Sequence, residues 1–297
     1  MLDVLEHSAA VLNVVRVGDV SLKPPGDLVL CDVAREEASV VVGQLRELGL
    51  DRSGSIAIDP VSSTMSSAAT RASHAAAGSP ADAVIWEDVE ARTSESAGLS
   101  FSFLAFIVLA TLIAAVGILT DSQILIIGAM VVGPEFGPLA GLCVALVQRR
   151  PELARSSAVA LAVSFPLAIA ATIVLVLVLK AAGRAPGTVA AHARPATFFI
   201  AEPSTFSVLV ALLAGIAGLL SLTTAKSGAL MGVLISVTTI PAAANVGVAW
   251  AYGSWHELGG AAEQLGLNLA CVVVAGVATL AAQRLGFVRR LRRARAA

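Results

Sequence analysis

Cysteine is scarce in this chain. There are three in 297 residues, Cys31, Cys143 and Cys271, widely spaced and without a C-x-x-C pair. That excludes a disulfide framework and a zinc knuckle. The four histidines are scattered with no metal-ligand spacing, so neither a metal nor any other cofactor is expected. A secretory leader is lacking too, because Met1-Leu2-Asp3-Val4-Leu5-Glu6-His7 has no positive segment and no apolar one. The apolar stretches hold no Ser/His pair, no paired aspartates and no H-E-x-x-H, which argues against an intramembrane enzyme. Asp121 and Glu135 are fourteen residues apart. That is ~21 Å along a straight helix, too far for a catalytic dyad unless a break folds the helix back. The only basic cluster is the C-terminal tail and the first third is acidic, so no nucleic-acid partner is expected.

Apolar character dominates what is there. The chain is 57% hydrophobic with a mean hydropathy of +0.84, too apolar for a soluble protein of this size. Charge is unevenly spread. Residues 1–98 carry 15 Asp/Glu against 7 Lys/Arg, and residues 99–297 carry 6 against 13. This divides the chain into an acidic soluble domain (1–98), a membrane domain (99–283) and a basic cytosolic tail (284–297).

In the first domain, Val11–Val17 and Leu28–Cys31 read as strands, the second entered through the turn Lys23-Pro24-Pro25-Gly26. A helix is expected over 33–48, with Asp32 as N-cap and Gly49 just past its end. Ser55–Ile58 and Val84–Val89 read as further strands. The Ser/Ala-rich stretch Ser62–Pro80 fits a weak helix or a loop. The sum is a small α/β domain, suited to sensing or assembly, or to a scaffold that binds nothing.

Six apolar segments follow, near 99–119, 124–147, 157–179, 206–222, 228–250 and 265–283, each about long enough for a ~30 Å hydrocarbon core. With the soluble domain inside, the inner loops and tail hold ten Lys/Arg and the outer loops three. The positive-inside rule then places both termini in the cytoplasm. The arginine-rich tail reads as an anchor against anionic lipid.

Glu135 lies near the middle of the second segment, within Gly133-Pro134-Glu135-Phe136-Gly137-Pro138. A carboxylate at that depth costs roughly 2.5–3.5 kcal/mol on insertion scales. A proline–glycine cluster there also breaks the backbone structure that satisfies itself in lipid. Segment 5 has Pro241, inside Thr238-Thr239-Ile240-Pro241-Ala242-Ala243-Ala244-Asn245. Phe106–Leu119 also aligns with Phe206–Leu219 at an offset of 100, with six of fourteen positions identical. Three segments starting inside and three starting outside, with a break in the second of each group, give a 3+3 inverted repeat.

A substrate or ion site is therefore expected at the midplane. Gly133, Pro134 and Pro138 would open the backbone, and Glu135 would supply a charge or carry a proton. Across from them Pro241 would open the other half, with Thr238, Thr239, Asn245 and Asn268 as neutral partners. The bland readings are helix packing for the glycines, interhelical hydrogen bonds for the two asparagines, and a silent acid for Glu135. Asp121 and Ser122 mark the outer end of segment 2; Asp121 fits an N-cap or a residue guarding an entrance.

These residues resemble a known family. Thr120-Asp121-Ser122, then Gly128-Ala129-Met130-Val131-Val132-Gly133-Pro134 and Gly137-Pro138, are similar to the first signature of the uncharacterised hydrophobic domain family, a domain of unknown function. Gly232-Val233 through Pro241, and Asn268-Leu269, resemble its second. The resemblance covers about 99–283. Two positions depart from it: Ala242 stands where a second proline is common, and Glu135 where an apolar residue is common. It implies a bacterial inner-membrane protein and supplies no substrate. The leading expectation is a secondary transporter or solute-conducting protein for a small solute or ion, with a cytosolic regulatory domain. The alternatives are a non-transporting membrane scaffold or sensor, or a channel, each built as a homo-oligomer.

Overall fold

The computed structural model describes residues 1–59, 61, 65–76, 84–189, 194–197, 200, 204–224 and 231–296, by backbone alone at 75, 231–238, 287 and 289–296. The chain forms two compact units, one built chiefly on Met1–Val89, the other on Glu90–Leu222 with Ser227–Gly286.

The first unit begins with helix α1 (Leu2–His7), followed by a hairpin of β1 (Val11–Leu22) and β2 (Pro25–Val33). The strands are antiparallel, pairing Val11 with Val33, Val17 with Leu28 and Leu22 with Pro25. The register slips between Leu12 and Val15 and between Val17 and Ser21. Asn13 and Asp19, both at positive φ, sit at those slips. Arg16 pairs with Asp27 at 2.7 Å across the strands. The Asp19 N–H first, and then Arg16, hold the Asp27 carboxyl below its ordinary value. Helix α2 (Ala38–Glu47) lays Val41 and Leu45 against Leu5, with Val14, Val29 and Ile56 around them. Gly49 takes φ +77° just past α2, the left-handed conformation that ends a helix. Short α3 (Leu50–Ser53) and α4 (Ser67–Ala75) follow.

Two expectations for this unit fail. Among the described residues the sheet has two strands, so it is a hairpin with helices rather than a multi-stranded α/β layer. Ser55–Ile58 is without a strand partner, and residues 86–89 open helix α5 (Trp86–Ser96). Ile85, Trp86 and Val89 are all buried, a spacing that also suits a helical face. Glu87 and Asp88 in the first turn favour the helix by their charge at its N-terminus. The N-cap of α2 is Glu37, not Asp32, which pairs instead with Asn13 at 2.6 Å. Of Ser62–Pro80, the described part is helical over α4.

The second unit is a helical bundle. Its elements are α6 (Phe101–Leu119), α7 (Gln123–Val132), α8 (Phe136–Gln148), α9 (Pro151–Ala181), α10 (Thr205–Thr223), α11 (Met231–Tyr252) and α12 (Trp255–Ala296). Four of them, α6, α9, α10 and Trp255–Gly286 of α12, are long and apolar enough to cross a membrane, and α7 with α8 makes a fifth as a bent pair. The bend is 52°. Among the described residues, helices lie over each of the six expected segments, but the last starts at Trp255 and runs on without interruption through the basic tail.

The two expected breaks part company. Segment 2 is broken, because Gly133 precedes Pro134 and is pushed to extended backbone (φ −64°, ψ 126°), and because Pro134 and Pro138 together remove two N–H groups. Segment 5 is not broken: α11 is helical through Pro241. A lone proline forfeits one hydrogen bond, as Pro166 does inside α9, and a packed apolar helix absorbs that loss. The matched pair of broken helices is therefore corrected to one break facing one continuous helix.

α11 is the centre of the bundle, packed against α6, α7, α8 and α9. Its Ile240, Ala243, Ala244 and Val248 are fully buried beside Ile107, Ala114 and Ile118 of α6. Glycines set the closest approaches. A methyl group at Gly141 would lie 2.7 Å from Ser157 Oγ and 2.8 Å from Ala97 Cβ. One at Gly137 would lie 2.7 Å from the Ser96 carbonyl, and one at Gly215 2.8 Å from that of Val272. Gly128 faces open space. Thus Gly141→Ala is expected to lower stability by about 1–3 kcal/mol through overpacking. Gly128→Ala is expected to be neutral or to add up to ~1 kcal/mol from helix propensity. Thermal unfolding of the detergent-solubilised protein checks both, and equal effects at the two positions would contradict this packing.

Candidate functional site

Glu135 sits in the gap between α7 and α8, at the N-cap position of α8, and is 0% exposed. Its carbonyl accepts the Leu139 N–H at 3.2 Å, while Pro134 accepts that of Gly137 at 3.3 Å. The side chain reaches to α11, where Thr239 Oγ1 donates to Glu135 Oε1 at 2.8 Å. Both partners are fully buried, so the bond forms away from bulk water, where a hydrogen bond is electrostatically stronger. This contact joins the break to the middle of the continuous helix, two residues before Pro241.

The other expected residues are distributed unevenly. Gly133 and Pro134 line a cavity of about 470 Å³ on one side of the break, and Pro138 is buried in the first turn of α8. Glu135 itself is absent from that cavity's lining. Pro241 is buried in α11, and Asn268 is fully buried on α12. The Thr238 side chain lies outside the described residues. Asn245, six residues beyond Thr239, accepts from Arg194 Nη1 at 3.2 Å and so belongs to a second cluster.

That cluster was only partly visible in the sequence. Arg194, counted there merely as an outer-loop charge, is 2% exposed. Its Nη2 meets Glu257 Oε2 at 2.5 Å, and its Nε donates to the Val189 carbonyl. Burial draws the guanidinium below its ordinary value, while the carboxylates of Glu257 and Asp121 hold it up. Asp121 is not the N-cap of α7. Ser122 is, accepting the Leu125 N–H at 3.4 Å. The Asp121 backbone has φ +50°, and its carboxylate accepts from Thr197 Oγ1 at 2.9 Å and the Ala196 N–H at 3.2 Å. Nearby, Lys180 Nζ donates to the Ala251 carbonyl at 2.9 Å and lies 4.5 Å above the Tyr252 ring. The segment 194–197 is thereby tied to α11, α12 and the start of α7. Glu257 carried no signal in the sequence beyond being an acid in the first turn of a helix.

Among the described residues, no group of three or more His, Cys, Asp or Glu could hold a metal ion. What the site offers is one carboxylate at a helix break, a hydroxyl donor opposite, and an ion-paired cluster elsewhere in the same bundle.

Several long apolar helices, one of them bent at a charged break, have the architecture of a multi-pass integral membrane protein. Residues 130–274 match the family model described as Domain of unknown function (DUF389), an uncharacterised domain to which this part of the chain is similar. The match takes in Glu135, Thr239, Asn245 and Asn268 and starts after Asp121 and Ser122. A curated relative, Uncharacterized protein MJ0678 of Methanocaldococcus jannaschii, is 27% identical over 171 residues. The alignment covers 56% of this chain, and the chain spans about half (49%) of that relative's length. No solved structure matches the chain.

The Arg194–Glu257 pair yields a prediction. Removing one member of a buried pair strands the other charge, so Arg194→Gln or Glu257→Gln is expected to cost about 3 kcal/mol. The double variant is expected to cost less than the sum. Thermal unfolding of the four proteins measures this, and strictly additive losses would show that the two side chains do not act as a pair.

Proposed function

We propose that this protein is a secondary transporter or solute-conducting protein of a bacterial cytoplasmic membrane, working at the α7–α8 break. The observation that carries this reading is Glu135: a fully buried carboxylate at a helix break, held by a hydroxyl from the opposing helix. A buried acid in an apolar bundle is costly, and such residues mark ion and proton pathways. The break exposes backbone carbonyls at the end of α7, the polar groups a solute site needs. Glu135 carries the coupling proton, and Thr239 orients it. Both termini are cytoplasmic, following the excess of Lys/Arg in the inner loops. The six helices act as two opposed groups of three, in which α11 serves as the unbroken counterpart of α7–α8. The N-terminal unit regulates.

The second reading is an oligomeric scaffold or channel held by glycine faces. Gly137, Gly141 and Gly215 pack inside the protomer, while Gly128, Gly259 and Gly266 face open space and are free to meet a second copy.

The test is reconstitution of the full chain into proteoliposomes loaded with a pH-sensitive dye. A panel of small organic and inorganic cations and anions is then supplied outside. Wild-type protein is expected to move protons in response to at least one solute, and Glu135→Gln to lose that response. Proton movement unchanged in Glu135→Gln would remove the acid from the mechanism, and no solute-driven movement in the wild type would overturn the transport reading.

A further inference from the structure

The cavity beside the break has a chemistry of its own. It measures about 470 Å³, within the range of small-molecule sites. Three phenylalanines, Phe103, Phe106 and Phe136, form part of its wall. Among the described residues its lining holds one charged side chain, Glu95, and no lysine, arginine or histidine. Glu95 is exposed and so open to a ligand.

The backbone adds the same sign. Helices α5 and α7 both end in this wall, at Ser96 and Gly133, and a helix C-terminus carries partial negative charge. The two helices that begin there have several of their first-turn donors occupied. Ser100 Oγ accepts the Phe103 N–H at 3.1 Å, its carbonyl accepts that of Leu104 at 3.0 Å, and Pro134 accepts that of Gly137. Carbonyl ends, one carboxylate and three aromatic rings are what a cation with apolar substituents requires. Ring faces attract ammonium groups, quaternary ones above all.

We propose that this cavity binds a small organic ammonium ion, with Glu95 as its counter-charge and the phenylalanines as its ring contacts. The inference rests on the transport reading only in taking the break as the working part of the molecule; it names the class of solute presented there. An anion would meet acceptors and, among the described residues of the lining, no cation. A bare metal ion would meet aromatic walls in place of the ligands it needs.

Binding of radiolabelled choline to the purified full chain in lipid nanodiscs, without any gradient, tests this. Saturable binding is expected, displaced by tetramethylammonium and not by sulfate. Glu95→Gln is expected to weaken it about fivefold, the scale of one solvent-exposed ion pair, with Glu95→Asp retaining most of it. Phe106→Leu is expected to weaken it about threefold, and Val131→Trp, which fills the mouth from a 62% exposed position, to abolish it. These side chains are exposed or half exposed, and an unchanged elution volume verifies folding. Absence of saturable choline binding, displacement by sulfate, or equal affinity in all variants would overturn the proposal. Because no gradient is used, the outcomes separate. Choline binding without proton movement keeps this site and removes the transport reading, and proton movement without choline binding does the reverse.

Discussion

A carboxylate inside an apolar helical bundle needs a donor, and here Thr239 supplies one to Glu135. The rest of the second unit can be understood as what puts those two atoms 2.8 Å apart. Gly133 and Pro134 end α7, and the 52° bend turns α8 so that Glu135 points into the bundle. Gly137 and Gly141, one helical turn apart, let the end of α5 and Ser157 of α9 approach α8 closely. α11 presents Thr239 because it continues as a helix into Pro241, backed by α6, α7, α8 and α9. A second break there would have moved the hydroxyl away from its partner.

The same bundle holds a second polar centre built on other principles. Arg194 brings a charge into a buried position and meets Glu257, Asn245 and a backbone carbonyl. Asp121 fastens the same segment through Thr197 and Ala196. One centre sets a buried acid against the Thr239 hydroxyl, and the other balances a cation against carboxylates. The second works as a clasp on the segment 194–197. The cavity with the aromatic wall is lined by residues of the same break, Gly133, Pro134, Phe136 and Gly137.

Much of this was legible in the residues. The apolar segments, the break at Gly133–Pro138, the hairpin around Pro24 and the left-handed Gly49 follow from hydropathy, two closely spaced prolines and turn chemistry. Glu135 stood out because an acid in an apolar run has no cheap explanation. The failures have physical causes. Pro241 was weighed like the Pro134–Pro138 cluster, although one proline costs a single hydrogen bond and leaves the helix intact. Residues 86–89 were taken for a strand because a short apolar run fits either period. Arg194 was invisible as a buried residue because its partners lie 51 and 63 positions away. Asp121 fits an N-cap in sequence, but its neighbour Ser122 takes that role and frees the carboxylate for a distant loop.

The contact between Glu135 and Thr239 is open to direct measurement. Unfolding free energies of the wild type, Glu135→Gln, Thr239→Val and the double variant form a double-mutant cycle in one detergent or lipid system. If the buried carboxylate depends on this hydroxyl, the two substitutions are coupled by about 1–3 kcal/mol. Additivity within ~0.3 kcal/mol would mean that the two side chains act independently, and the account built on the break would fail.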